Sequence, residues 1–114
     1  MNIDDELRLL HMLEAAEEAL AFIKDRARDE LDMDRMLVLA LVKEIEIIGE
    51  AASHIDKATQ DELPELPWHD IVNMRHRLVH AYYDINLSIL WQTIKQDLPT
   101  LIEMISPVIL AEDD

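Results

Sequence analysis

The chain has 114 residues, with 25 Asp plus Glu against 10 Lys plus Arg, a formal net charge of −15, one Gly and no Cys. The missing cysteines exclude a disulfide framework, a thiolate metal centre and a Cys nucleophile, and a lone Gly argues against an all-β domain, whose turns need Gly. The acid excess disfavours nonspecific binding to long polyanions.

The length predicts one domain over 1–114. Surface scaling gives roughly 19,000 Å² for the unfolded chain and roughly 6,400 Å² for the folded monomer, enough for a core without staples. No apolar stretch reaches the ~18–20 residues of a membrane span. The greasiest run, Met36–Val42, ends at Lys43 and Glu44. The N-terminus, Met1-Asn2-Ile3-Asp4-Asp5-Glu6, is acidic and unlike a secretory signal. The expectation is a soluble, cytoplasmic protein with no membrane role.

Helical periodicity dominates the chain. Leu9, Leu13, Ala16, Leu20 and Ile23 recur at steps of four and three, which predicts a helix over Asp4–Arg28 capped by Asn2 or Asp4. Asp29–Asp34 reads as an acidic connection with cap candidates Asp32 and Asp34. A second helix is expected over Asp34–Ile55, with Leu37, Leu41, Ile45, Ile48 and Ala52 on one stripe and an apolar flank that places it centrally. Gly49 sits inside it, where Gly costs about 1 kcal/mol against Ala, so a neighbouring helix is expected to approach there. Asp56–Pro67 reads as the main connection, stiffened by Pro64 and Pro67. A third helix is expected from Trp68 to near Ala81–Asp84. Asn86 should cap a fourth, with Leu87, Leu90, Trp91, Ile94 and Leu98 in step. Pro99 suits the start of a further turn or short fifth helix over Thr100–Ile105, interrupted at Ser106-Pro107, and the tail from Glu112 should fray. The predicted architecture is all-α, an antiparallel bundle of four main helices with a short fifth.

The charge is uneven. From His69 to Lys95 three bases (Arg75, Arg77, Lys95) face two acids (Asp70, Asp84), a balance of +1, which leaves −16 for the rest. Three of the five His lie in the same window. Within it, Asn73–Asp84 gathers Arg75, His76, Arg77, His80, Tyr82 and Tyr83. On an ideal helix Arg75 and His80 stand about 140° apart and ~7.5 Å along the axis, so they meet only if His80 lies at the helix end and Arg75 reaches along a groove.

Arg75, four intervening residues, His80, one residue and Tyr82 form the R-x4-H-x-Y pattern of the HEPN superfamily. The chain resembles its HepT toxins, which are encoded beside small nucleotidyltransferase (MNT) antitoxins. The flanks extend the likeness. Glu46-Ile47-Ile48-Gly49-Glu50-Ala51-Ala52 resembles the second-helix segment of that family, and Leu66-Pro67-Trp68 with Ile71 and Met74 resembles the start of its motif helix. Asp84-Ile85-Asn86, Trp91 and Leu98-Pro99 resemble the family's segment C-terminal to the motif. The likeness covers Asp34 to Ile105.

The resemblance implies a metal-independent ribonuclease toxin that needs no cofactor. It implies a helical homodimer or higher oligomer with the motif residues of two protomers lining a cleft. It assigns phosphate contact to Arg75 and proton transfer to His80. His76 stands where the family often has a polar residue such as Asn; with Arg77 it is a candidate for RNA and phosphate binding, although Arg77 could equally face solvent. Tyr82 matches the tyrosine that the nucleotidyltransferase partner adenylylates to silence the toxin. The chemistry is compatible. RNA carries its own nucleophile, the 2′-OH, and an imidazole can take its proton near neutral pH. A guanidinium offers a planar fork to the phosphate as charge builds there. The expected product ends in a 2′,3′-cyclic phosphate.

Plainer readings stand beside these. His76, His80 and Asp84 recur every four residues, yet drift makes their convergence on a metal poor, and the expectation is no metal site. Trp68 and Trp91 read as bundle packing. Tyr83 is the tyrosine expected near the core. Glu46 and Glu50 read as a solvated face or partners of a basic neighbour, and His54 and His69 as ordinary surface residues. The alternative function is a noncatalytic module that binds nucleotide or scaffolds a nucleotidyltransferase.

Overall fold

The computed structural model describes residues 1–81 and 84–113, the last without its side chain. The described residues are all-α apart from one small antiparallel pair of strands. Helix α1 spans Ile3–Phe22, α2 Arg35–Ser53, α3 Lys57–Glu62, α4 Trp68–Val72 and α5 Met74–Leu78. Strands β1 (Val79–Ala81) and β2 (Asp84–Ile85) pair antiparallel with an irregular register. Helix α6 (Leu87–Gln92) then runs through a π-helical turn, Thr93–Asp97, into α7 (Leu98–Asp113).

The long helices form where an apolar stripe and a cap coincide. The Asn2 side chain accepts from the Asp5 N–H and starts α1; Asp34 does the same for α2 at Leu37, and Asn86 for α6 at Ile89. The Leu37 N–H and Arg26 hold the Asp34 carboxyl below the usual carboxylate range. The stripes meet in one core, where Leu9, Met12, Leu41, Ile45, Ile48, Leu78, Leu90, Ile94, Leu98 and Ile105 are fully enclosed. Trp68 and Trp91 pack against its edge. No helix among the described residues is long and apolar enough to cross a membrane.

Several boundaries differ from expectation for identifiable reasons. Helix α1 ends at Phe22, not Arg28. Asp25 takes φ 62°, a left-handed conformation that Asp tolerates better than most, and the chain turns into a short 3₁₀ segment, Arg28–Asp32, that buries Leu31. The expected connection Asp56–Pro67 contains α3, because the Thr59 hydroxyl reaches a buried acceptor on α1. The expected third helix is two short ones and a strand. The Asn73 side-chain amide and backbone N–H both donate to the His69 carbonyl, at 2.8 and 3.1 Å, and α4 ends there before α5 begins. Val79 then turns extended, and the Asn86 N–H closes on the Leu78 carbonyl at 2.7 Å. Pro99 and Pro107 do not interrupt the last helix. The wide π turn lies where the Pro99 ring would crowd the carbonyl four residues upstream, and it absorbs the misfit. The helix continues through Glu112, where fraying was expected.

Gly49 answers to a close approach, as its position inside α2 suggests. A Cβ there would stand 3.3 Å from the Val72 carbonyl oxygen, so the backbone of α4 rests directly on α2. This contact seats the motif segment against the scaffold.

Candidate functional site

The motif segment presents its side chains in two directions. Arg75 and His76 on α5 line a groove of about 750 Å³ whose floor is the outer face of α2. Lys43, Glu46, Glu50 and His54 project from that floor, and Arg8 and His11 of α1 form the far wall. Arg77 turns away. It pairs with Asp97 at 3.5 Å and lines a separate cavity of about 190 Å³ with Ile71, Met74 and Leu101.

Arg75 is held rather than loose. Its Nε donates to Glu46 Oε1 at 2.7 Å, and the other Glu46 oxygen lies 3.9 Å from Lys43 Nζ. The Arg75 side chain is 40% exposed, so its two terminal nitrogens remain available while Nε is fixed. A guanidinium anchored on one edge offers the other edge as a preset fork for an anion. Glu46 is thus the basic neighbour's partner foreseen as one of its two readings.

His80 sits on β1, exposed, and does not line this groove. The 140° helical relation to Arg75 does not apply, because the helix ends at Leu78 and the strand carries His80 away. One chain therefore brings together Arg75 and His76, and leaves His80 and Arg77 elsewhere. Tyr82 and Tyr83 lie outside the described residues. Among the described residues no group of three or more His, Asp or Glu side chains is placed to hold a metal ion, and His76, His80 and Asp84 form no such group.

Sequence reasoning missed Arg8, His11 and Lys43 and took His54 for an ordinary surface residue. A signal was present: Lys43, Glu46, Glu50 and His54 form a polar stripe on an otherwise apolar helix, at spacings that share one face. Nothing in the sequence said that α1 would add Arg8 and His11 to it. Arg8 is positioned by Asp5, which it touches at 3.1 Å. Asp5 is fully buried. Burial acts to raise its pKa, but hydrogen bonds from the Thr59 hydroxyl, the Asp56 N–H and Arg8 outweigh burial and hold the carboxyl below the usual range. Asp5 thus fixes the start of α1 against α3 and sets the base of the Arg8 side chain.

Comparison with known proteins bears on the family of the chain. Residues 12–108 match the family of HepT-like ribonucleases ("Ribonuclease HepT-like"). A protein of Methanocaldococcus jannaschii, "Putative RNase MJ1380", is 33% identical over 93 residues, covering 82% of this chain and 85% of the relative. "Putative RNase TTE0752" of Caldanaerobacter subterraneus is 31% identical over 104 residues, covering 91% and 93%. "Probable ribonuclease HepT" of Thermococcus cleftensis is 34% identical over 93 residues, covering 78% and 84%. No solved structure matches the chain. The chain belongs to the HepT-like ribonuclease family of the HEPN superfamily.

Proposed function

We propose that the protein is the ribonuclease toxin of a toxin–antitoxin pair, cutting RNA without metal by attack of a ribose 2′-OH on its own phosphodiester. Family membership supports an RNA substrate. The observation that carries the reading is the Arg75 guanidinium, edge-anchored on Glu46 and exposed in a groove with Lys43 and His76 on a chain of net charge −15. Arg75 binds the phosphate and neutralises charge as the pentacoordinate state forms. His80 takes the 2′-OH proton as O2′ bonds to phosphorus, the P–O5′ bond breaks, and the departing 5′-oxygen takes a proton from solvent water.

The position of His80 bears on assembly. Since His80 of a protomer lies outside that protomer's own groove, the reading requires a homodimer, or a higher oligomer built from it, whose second copy brings an imidazole to the Arg75 groove. His76 is the second phosphate contact; Arg77, paired with Asp97, serves the outer surface. The partner nucleotidyltransferase silences the enzyme by attaching AMP to Tyr82, two residues from His80, where the added phosphate and purine occlude the cleft.

The test uses purified protein, free of partner and AMP, with RNA in a chelator. Wild type should leave 2′,3′-cyclic phosphate ends, and neither Arg75→Ala nor His80→Ala should do so. Mixing those two variants should restore part of the activity if the cleft draws on two copies. Cleavage by either variant alone at the wild-type rate contradicts the assignment. Tyr82→Phe should escape silencing by the partner, and continued silencing contradicts that step. The separation of His80 from the groove also favours a second reading, a module that binds RNA or nucleotide without cutting. Under that reading the wild type retains RNA intact.

A further inference from the structure

The groove is far larger than one phosphate requires. It holds three cations, Arg8, Lys43 and Arg75, against the two carboxylates Glu46 and Glu50, a balance of +1 that leaves −16 for the rest of the chain. It also holds three of the five histidines, His11, His54 and His76. These groups come from three separate elements, α1, α2 and α5, so the concentration is a product of the fold and not of one basic run. Between Lys43 and His54 the floor of the groove extends eleven residues along α2, ~17 Å at the helical rise.

We infer that this groove is a track for the backbone of single-stranded RNA, with Arg8, His11, Lys43 and His54 as binding residues beyond the R-x4-H pair. The inference rests on the RNA-cleaving reading and extends it to how the strand is held. Charge selects the ligand: on a surface that elsewhere repels polyanions, one lane of cations guides a polyanion along a single path. Length suits a run of several phosphates, since the floor extends ~17 Å along α2. The histidines add ring N–H donors between the cations. The His54 Nδ1 lies 2.9 Å from the Glu50 carbonyl oxygen; donating there leaves Nε2 for a ligand. Arg8 has one nitrogen on Asp5 and the rest of its fork unassigned. Lys43 is 69% exposed beside Glu46 and can swing to a phosphate at small cost. A strand laid from Arg8 and His54 toward Lys43 passes Arg75, which places a phosphate on the guanidinium with neighbouring phosphates gripped on either side.

The test measures binding of a short single-stranded RNA to the full chain carrying His80→Ala, at several salt concentrations. Adding Lys43→Glu and His11→Glu should weaken binding about tenfold at low salt, and the log–log salt slope should shrink by about 0.7 for each phosphate contact removed. Lys24→Glu, an exposed cation outside the groove, makes the same charge change as Lys43→Glu and should alter affinity less than about twofold. If the double variant does not keep the helical spectrum and melting of its parent, Lys43→Gln alone should still weaken binding about threefold. Affinity and slope that fall no further than with Lys24→Glu overturn the track. Displacement of the RNA by polyglutamate as readily as by unlabelled RNA overturns it too, because the groove would then serve an acidic polypeptide. The two readings fail separately. Wild type that binds in the groove yet leaves RNA intact contradicts the nuclease and keeps the track; wild type that cuts RNA while the groove variants bind undiminished contradicts the track and keeps the nuclease.

Discussion

Along the seam between α1 and α2 the chain spends its apolar residues, and between Trp68 and Asn86 it spends its polar ones. The seam is two long helices, capped by Asn2 and Asp34, with Met12, Ala16, Ala19, Leu41, Ile45 and Ile48 closed to solvent. The motif segment is two five-residue helices and an antiparallel pair of strands, anchored by the buried Ile71, Met74 and Leu78 while Arg75, His76, Arg77 and His80 reach outward. Short helices are marginal on their own, so the segment keeps its shape by docking on α2 through Gly49. The contrast teaches that stability and chemistry sit in different places. Truncations of the seam's apolar residues should lower stability and spare the chemistry of whatever remains folded. Changes on the motif's outer face should do the reverse.

The largest effect should come from the motif. Arg75→Ala or His80→Ala should slow RNA cleavage by about 10²–10³-fold or more, with a melting temperature close to wild type. Melting and single-turnover rates measured together decide this, and a matching loss of stability would erase the contrast.

Next come the seam's core and the buried Asp5 carboxylate that ties α1 to α3. Leu41→Ala should cost about 2–5 kcal/mol in denaturant unfolding. Asp5→Ala should cost about 2–4 kcal/mol, because it strips partners from the Thr59 hydroxyl, the Asp56 N–H and Arg8. The depressed Asp5 pKa gives a second check. Its contribution is present above the unfolded-state value of about 4 and is lost as pH falls through the lower folded-state value, so acid should narrow the gap between Asp5→Ala and wild type.

A second buried carboxyl, Glu44 in the middle of α2, should behave oppositely. Glu44 is 5% exposed, and its Oε2 has no hydrogen-bond partner. Burial, with Glu18 nearby, pushes its pKa up to about 7. The folded state therefore holds the proton more tightly than the unfolded one. Stability from this site is fully present below the unfolded-state value near 4.5 and is lost as pH rises through about 7. Glu44→Gln should be more stable than wild type by on the order of 1–2 kcal/mol at pH 8, with the gain vanishing near pH 4. A gain independent of pH would mean that the carboxyl is not what the seam resists.

The smallest effect belongs to Arg77. Its pair with Asp97 is exposed at 3.5 Å, and Arg77→Ala should change stability by less than about 0.5 kcal/mol and cleavage by at most a few-fold. A loss as large as that of Arg75→Ala would show that cleavage draws on both faces of α5.

The two regions also differ in how far they could be read from sequence. Periodicity and caps located α1 and α2 because long amphipathic helices repeat their signal many times. Asp34 and Asn86 are the caps they resemble, and Gly49 faces the close neighbour its cost implies. The motif segment broke the reading. Over five residues a helical period is too brief to show where the helix gives way to a strand, and the extended Val79 depends on its pairing with Ile85. Glu44 was read as ending an apolar run when it is buried within the helix that continues it; nothing local shows that Glu18 will lie across the seam. For the site, Arg75 was legible from the motif, and Glu46 as a partner for a basic neighbour. The far wall, Arg8 and His11, was not, since it depends on how α1 crosses α2 some forty residues away in the chain.

The most direct measurement places a single 2′-deoxyribose in an otherwise ribose strand, at the position the wild-type protein cuts, and follows cleavage in chelator. The account predicts that the cut disappears there and that the all-ribose strand yields a 2′,3′-cyclic phosphate end. Cleavage that persists at the deoxy position, or a product without the cyclic end, would show that the strand does not supply its own nucleophile and would contradict the account.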